Sequence, residues 1–507
     1  MKTLLGIDLG TSGTKTVLFT EEGKVLAQKT VEYPLHQPQN GWAEQDPNDW
    51  WNAVCVGAQS VIKESGVASE SVVSVGISGQ MHGLVMLDAD GELLGNSIIW
   101  CDQRTGDAVK YMQNTIGEQK LIEITANPAM TGFTAAKIVW VMQNEPARYE
   151  KCRHIMLPKD YIRFKLTGEI ATEASDASGT QLMDVPNRCW SEEVLSKLGI
   201  DKDLLPPIYE SPDVTGKVHA MASQATALPV GALVVGGAAD NSAAAIGCGV
   251  VREGSAFTTL GTSGVVYAIS DKVQIDPAGR VHTLCASIPG KYTVMSCTLA
   301  AGLSLRWLRD TCCETEIEKA KLLGVDPYEL MGDMAATVAP GSDRLIFLPY
   351  LMGERCPHPN PDCRGVFFGL SAIHEKRHLV RAVMEGVGYS QAECVDVFRE
   401  MKVPVDNMTL CGGGSRSPYW RQILSDLYAC PVTTLAVDEG PALGVAILAG
   451  VGANVFNSVE EAADAIVLHN KPQFPIEENK INYQKYLNRY RSLYKTLVGE
   501  YSELAKL

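Results

Sequence analysis

The chain has 507 residues, 46% of them apolar and 20% charged, a mean hydropathy near zero and a formal net charge of −15. That length calls for two or more cores, and the acidic balance argues against a nucleic-acid or anionic-membrane partner. No run of about eighteen apolar residues is present, so no bilayer span is expected.

Met1-Lys2-Thr3 leads straight into a strand without the layout of a secretory leader. Fourteen cysteines are scattered without a C-x-x-C pair, Cys312 and Cys313 being adjacent. This usage fits free thiols in a reducing cytoplasm better than a disulfide framework or a zinc site.

In chain order, residues 4–7, 16–19 and 25–33 read as a three-stranded meander with a turn at 21–23. Asp46-Pro47 supplies an N-cap and first-turn proline for a helix through Trp50, Val54 and Val61. A strand follows at 72–78, then a hairpin with arms at 84–87 and towards Trp100 around Asp88-Ala89-Asp90-Gly91. Residues 105–230 are mainly helical in pattern. An apolar strand at 230–237 ends in Gly236-Gly237, and the small residues after Asn241 predict a helix start at Ser242.

The meander pattern then begins again, with strands at 257–260 and 265–269, so a domain boundary is placed between residues 246 and 247. The domains expected are 1–246 and 247–507. A strand at 408–411 runs into Gly412-Gly413-Gly414 and a helix through Trp420, Ile423 and Leu427. Tyr483, Tyr486, Leu487, Tyr490, Tyr494 and Leu497 recur at helical spacing, which reads as packing.

The strongest local signal is a repeated phrase. Leu9-Gly10-Thr11-Ser12-Gly13 recurs as Leu260-Gly261-Thr262-Ser263-Gly264, close to half the chain later, each copy following a strand-like run. Glycines let a turn bring its N–H groups close to a ligand, and the hydroxyls add donors. Two such turns predict two phosphate-binding jaws. The fold expected is α/β and duplicated: the two-lobed actin/hexokinase/Hsp70-like (ribonuclease H-like) ATPase fold. Fold alone does not choose among kinase, chaperone and filament.

Asp8, at the end of the first strand, is suited to hold the water shell of Mg²⁺; the bland reading is a turn cap. Lys15 reaches a phosphate or stays solvated on the hairpin, and the sequence leaves both open. Asp240 follows a strand and two glycines and is the candidate base for phosphoryl transfer to a hydroxyl, with Asn241 beside it as a donor. The structural alternative is an N-cap for the helix opening at Ser242. Gly412-Gly413-Gly414 permits close approach of a ring or phosphate to a helix N-terminus. His374-Glu375-Lys376-Arg377-His378 satisfies H-E-x-x-H, yet its intervening Lys and Arg suit a buried zinc helix poorly. No G-x-x-x-x-G-K-[ST] loop is present.

Two long phrases resemble the signatures of the FGGY carbohydrate kinases. One is Gly132-Phe133-Thr134-Ala135-Ala136-Lys137-Ile138-Val139-Trp140-Val141-Met142-Gln143-Asn144; the other runs from Gly365-Val366-Phe367-Phe368-Gly369-Leu370 through Ala382 and Glu385 and contains the H-E-x-x-H match. Within the family, Ser78-Gly79-Gln80-Met81-His82-Gly83 resembles the xylulose-phosphorylating branch, where a Met-His pair contacts the sugar and glycerol-specific members carry Arg-Glu. Trp42 to Pro47, Leu157 to Tyr161, and Leu348-Pro349-Tyr350 with Gly353-Glu354-Arg355 resemble the same branch.

The resemblance implies ATP-dependent phosphorylation of D-xylulose to D-xylulose 5-phosphate in the cytoplasm, with Mg²⁺ and no nucleic-acid or membrane partner; a homodimer is an open expectation. It implies Asp240 as catalytic base, Asp8 on the metal side, and Met81, His82, Asp240 and Asn241 at the sugar. ATP would meet Thr11, Ser12, Gly13, Lys15, Thr262, Gly302, Gly413, Gly414 and Ser417. Arg306 stands where relatives often have Gln, and Ala238 where many have a third glycine, which would narrow the sugar floor. Two other readings stay open: a family member acting on ribulose, gluconate or a tetritol, and a nucleotide-driven conformational switch of the actin or Hsp70 kind.

Overall fold

The computed structural model describes residues 2–437 and 439–507. The chain divides into two compact units. The first comprises Met1–Arg252, Asp271–Thr293 and Val437–Val467; the second comprises Glu253–Ser270, Val294–Ala436 and Leu468–Leu507.

The first unit opens with the expected meander, β1 (Thr3–Leu9), β2 (Gly13–Thr20) and β3 (Val25–Glu32), paired antiparallel with Asp8 opposite Lys15. Next comes α1 (Pro47–Ser65), whose N-cap Asp46 accepts from Asn48 N at 2.8 Å and whose chain turns off at Gly66 with φ 69°. Its Trp50, Val54 and Val61 are buried. β4 (Val72–Gly79) lies parallel to β1. Two helices used below are α2 (Thr134–Asn144) and α3 (Pro158–Thr167). β5 (Val214–Lys217) and β6 (Leu233–Val235) complete a sheet ordered β5-β6-β4-β1-β2-β3, and the short β7 (Ala238–Ala239) also pairs with β4.

β1 and β4 are buried along nearly their whole length, which explains their continuous rather than alternating apolar pattern. The helix Gly440–Gly452 lies directly on them: a Cβ on Gly6 would stand 2.1 Å from Ala442 O, and one on Gly76 2.0 Å from Val445 O. The same helix packs against α4 (Asp240–Gly247), where a Cβ on Gly444 would meet Ala243 O at 1.9 Å. Backbones approach this closely only where side chains are absent.

The expected hairpin over residues 84–100 forms in part, closed at its turn by Asp88 N donating to Glu92 O at 3.0 Å, while both arms also pair elsewhere. Val85–Leu87 pairs antiparallel with His154–Met156, and Ser97–Ile98 pairs with Glu44–Gln45. The isolated bridges Leu84–Ile98 and Leu87–Leu93 join the two arms. Leu84 to Leu87 are all fully buried, so the arm takes partners on several sides rather than one.

The second unit repeats the wiring. β8 (Gly254–Leu260) pairs antiparallel with β9 (Gly264–Ser270) and, beyond α5 (Gly302–Cys312) and α6 (Lys376–Glu400), parallel with β10 (Val405–Cys411). After α7 (Pro418–Tyr428), β11 (Val432–Thr433) adds parallel to β10. The strand sequence β9-β8-β10-β11 matches β2-β1-β4-β6 in the first unit. In α8 (Glu477–Leu504), Tyr483, Leu487 and Tyr490 are buried, and Tyr490 Oη lies 2.8 Å from Tyr350 Oη; the tyrosine stripe is core packing.

Candidate active site

In the first unit, the turn between β1 and β2 is closed by Gly10 N donating to Gly13 O at 3.1 Å. Gly10 O accepts from Tyr33 Oη, and Gln45 Nε2 donates to Thr11 O at 2.7 Å. Trp100 Nε1 donates to Thr11 Oγ1 at 2.8 Å, whereas Ser12 is exposed. Gly13 must be glycine, because a Cβ there would meet Val31 O at 2.7 Å. The turn is thus pinned from behind, with Ser12 at its open tip.

Asp8 sits one residue before the end of β1, in register with Ser78 of β4, whose Oγ donates to its Oδ1 at 2.7 Å. Burial raises its pKa above the ordinary carboxylate value, against the Ser78 bond and the Lys15 charge, which lower it. Lys15 is engaged: its Nζ is 2.6 Å from Glu439 Oε2, with both side chains partly shielded. A phosphate would have to compete with that carboxylate for the ammonium.

Asp240 is the first residue of α4. The chain reaches it through Gly237 (φ 81°), where a Cβ would meet Ile77 O at 2.1 Å, and through the strand-paired Ala238 and Ala239. The helix begins two residues earlier than the sequence pattern suggests, so Asp240 stands inside its first turn rather than ahead of it. Asn241 N and Nδ2 donate to Asp240 Oδ1 at 2.6 and 2.9 Å. The carboxyl keeps some accessible surface although protein crowds it on most sides. Crowding and the negative charge of Asp8 push its pKa to about 7. Ala238 is fully buried in its pairing with Ser78.

Below Asp240 lies a buried ionic network. Lys159 Nζ contacts Asp160 Oδ1 at 2.7 Å and Glu173 Oε1 at 3.3 Å. Glu173 accepts from Ser175 Oγ at 2.9 Å, and Ser175 Oγ accepts from Ala239 N at 3.0 Å, the residue next to Asp240. Asp176 lies 3.6 Å from Lys159, and burial with the surrounding carboxylates raises its pKa strongly.

Met81 and His82 follow β4 directly. Met81 is buried with its Sδ 4.0 Å from Asn241 Nδ2. His82 has a left-handed backbone, φ 68°, and its ring stacks on Phe133 with centroids 4.0 Å apart. His82 Nδ1 lies 2.7 Å from Gly179 O, so Nδ1 carries the proton. Gly179 underlies both side chains: a Cβ there would be 2.9 Å from His82 Cε1 and 3.2 Å from Met81 Cε. Asp8, Asp240, Asn241, Met81 and His82 therefore share one unit, linked by contacts or charge.

In the second unit, Gly302 N donates to Gly261 O at 2.7 Å and Ala301 N to Thr262 O at 3.0 Å, so the start of α5 is docked on the second turn. Gly412 (φ 82°) and Gly414 close on the same turn: a Cβ on Gly414 would be 2.6 Å from Leu260 Cβ. A Cβ on Gly413 would meet nothing within 4 Å. Ser417 caps α7, accepting from Trp420 N at 3.3 Å, and Thr262 is exposed. Arg306 is exposed on α5.

The H-E-x-x-H match is not a helical zinc pair. Glu375 is the N-cap of α6, so His374 lies outside the helix, and Glu375 N donates to His378 Nδ1 at 2.9 Å. Sequence reasoning missed Gly179, Ser175, Glu173 and the first-turn contacts of α2. Only the small-residue run Ala177-Ser178-Gly179 hinted at close packing.

Two sheets of one topology, each opening on a Gly-Thr-Ser hairpin, define the actin/hexokinase class of ATPase fold, and the first unit adds two half-buried carboxylates, Asp8 and Asp240. Models of the FGGY carbohydrate kinase family match residues 3–247 with the N-terminal domain and 256–453 with the C-terminal domain. The chain belongs to the FGGY family of carbohydrate kinases. It is 36% identical over 494 residues to a xylulose kinase of Bacillus subtilis, covering 97% of both chains. It is 31% identical over 504 residues to a gluconokinase of Bacillus licheniformis, covering 99% of this chain and 97% of that protein. The crystal structure of xylulose kinase from Rhodospirillum rubrum superposes with a TM-score of 0.91 at 28% identity over 99% of this chain and all of that one.

Proposed function

We propose that this kinase transfers the γ-phosphoryl group of ATP to the terminal hydroxyl of D-xylulose, with Asp240 as general base. The observation that carries the reading is the placement of Asp240: Asn241 Nδ2 donates to its Oδ1 at 2.9 Å and lies 4.0 Å from Met81 Sδ, and burial with the Asp8 charge raises its pKa to about 7. A base is most useful when its pKa lies near the working pH.

In this reading the sugar is held against Met81 and His82, with Asn241 donating to a substrate oxygen. Asp240 takes the proton from the terminal hydroxyl as that oxygen bonds to the γ-phosphorus and the bond to ADP breaks. Asn241 keeps the carboxylate oriented, and the rest is positioning and charge stabilisation. We assign ATP two sets of groups. Thr11, Ser12, Gly13 and Lys15 belong to the first unit, and Thr262, Gly302, Gly413, Gly414 and Ser417 to the second.

The donor set around Asp8 suits a hard divalent cation: a half-buried carboxylate with a second carboxylate, Asp240, near enough for the Asp8 charge to raise its pKa. Among the described residues no cluster of three or more His, Cys, Asp or Glu could hold a metal. That fits Mg²⁺, which keeps most of its waters and takes few protein ligands. Bound near Asp8, Mg²⁺ would neutralise phosphate charge.

Gluconate is the second reading, favoured by the 31% identity to a gluconokinase. A coupled ADP-release assay over D-xylulose, ribulose, gluconate and a tetritol tests both. Release dependent on D-xylulose, with the highest kcat/KM of the panel, is expected. A higher value for gluconate would replace the reading, and release independent of any sugar would remove it.

A further inference from the structure

The lysine of the first signature phrase is fully buried. Lys137 Nζ donates to His82 O and to Gly132 O, both at 2.6 Å. Thr134 Oγ1, in the first turn of α2, donates to the same His82 carbonyl at 3.1 Å. Phe133, the N-cap of α2, supplies the ring on which the His82 imidazole stacks.

A left-handed backbone at a residue with a Cβ is unfavourable and persists only where its surroundings hold it. His82 is such a residue. A buried ammonium satisfied by carbonyls rather than by a carboxylate is itself costly. The two unfavourable features sit on one hydrogen bond, and that bond fixes where His82 points.

We infer that Lys137, with Thr134 on the same helix turn, is a positioning residue that anchors the His82 carbonyl and so sets the imidazole wall of the sugar site. The inference rests on the reading of His82 as that wall. The groups around the ammonium fit the role. Burial lowers the Lys137 pKa to about 7; the Asp102 charge works against that shift and the Arg104 charge adds to it.

The test is steady-state kinetics with D-xylulose and ATP on the full chain, for Lys137→Met, His82→Ala and the double variant. Lys137→Met should raise the D-xylulose KM about tenfold, with kcat within about threefold and the ATP KM within about twofold. Added to His82→Ala, it should change the D-xylulose KM by less than about twofold, because the two act through one contact. Thr134→Val leaves the ammonium in place and keeps the test available if Lys137→Met does not fold. It should raise the same KM about threefold, and an unchanged value would overturn the anchor. If His82→Ala raises the D-xylulose KM while Lys137→Met does not, the wall stands and the anchor fails. If His82→Ala leaves that KM unchanged, the wall itself fails and the anchor with it. Losses that multiply in the double variant, or that fall equally on the ATP KM, would make Lys137 a structural residue only.

Discussion

The two units use the same hairpin and the same parallel strand for different ends. Counting from the repeated phrase, Asp8 of β1 corresponds to Thr259 of β8. The parallel partner opposite each is Ser78 in the first unit and Cys411 in the second. Beyond those partners the first chain continues into Met81 and His82, and the second into Gly412, Gly413 and Gly414. In the proposed reading, one position carries the side chains that meet the sugar, and the other carries bare backbone for the nucleotide. Carboxylates gather at the first turn, where the Asp8 charge raises the Asp240 pKa, while the second turn has none at the matching strand position. Duplication supplied the frame; the residue at each strand end decides which chemistry it holds.

Replacing the first unit's charge should produce the largest divergence. Asp8→Ala should lower kcat/KM for Mg·ATP about a hundredfold, and Thr259→Ala should lower it far less. Equal losses would dissolve the distinction between the turns.

Acidity is the next lever. At saturating Mg·ATP, kcat/KM for D-xylulose should fall about tenfold from pH 8 to pH 6, because Asp240 gains a proton as pH drops through about 7 and a protonated carboxyl accepts no proton. A flat profile would count against Asp240 as the titrating base.

The loops after the matched strands can be separated by a crossed pair. His82→Ala should raise the D-xylulose KM about fivefold or more and spare that for ATP. Gly414→Ala, which forces a Cβ to within 2.6 Å of Leu260 Cβ, should do the reverse. Crossed results would mean that the assignments of the two units are exchanged. The smallest effect is expected at Lys15, whose charge is already engaged by Glu439: Lys15→Met should change the ATP KM about twofold.

Much of this was legible in the chain because it depends on local chemistry. The repeated Gly-Thr-Ser phrase, the Asp46-Pro47 helix start and the strand-Gly-Gly run before Asp240 are each fixed by what a turn or cap requires. The rest depends on partners distant in sequence. Lys15 meets Glu439 across 424 residues, His82 leans on Gly179 across 97, and Lys137 reaches back 55 to the His82 carbonyl. The arm at 84–87 is half of a partial hairpin and also pairs with a strand at His154–Met156 that its own residues do not reveal.

Asp240→Asn tests the central assignment most directly, because the amide keeps an acceptor for Asn241 and removes a buried charge that burial and Asp8 disfavour. Calorimetric binding of D-xylulose together with turnover should show affinity kept within about threefold, thermal stability equal to or above wild type, and kcat reduced at least about a hundredfold. Turnover near that of the wild type, in a variant that binds the sugar normally, would contradict the account.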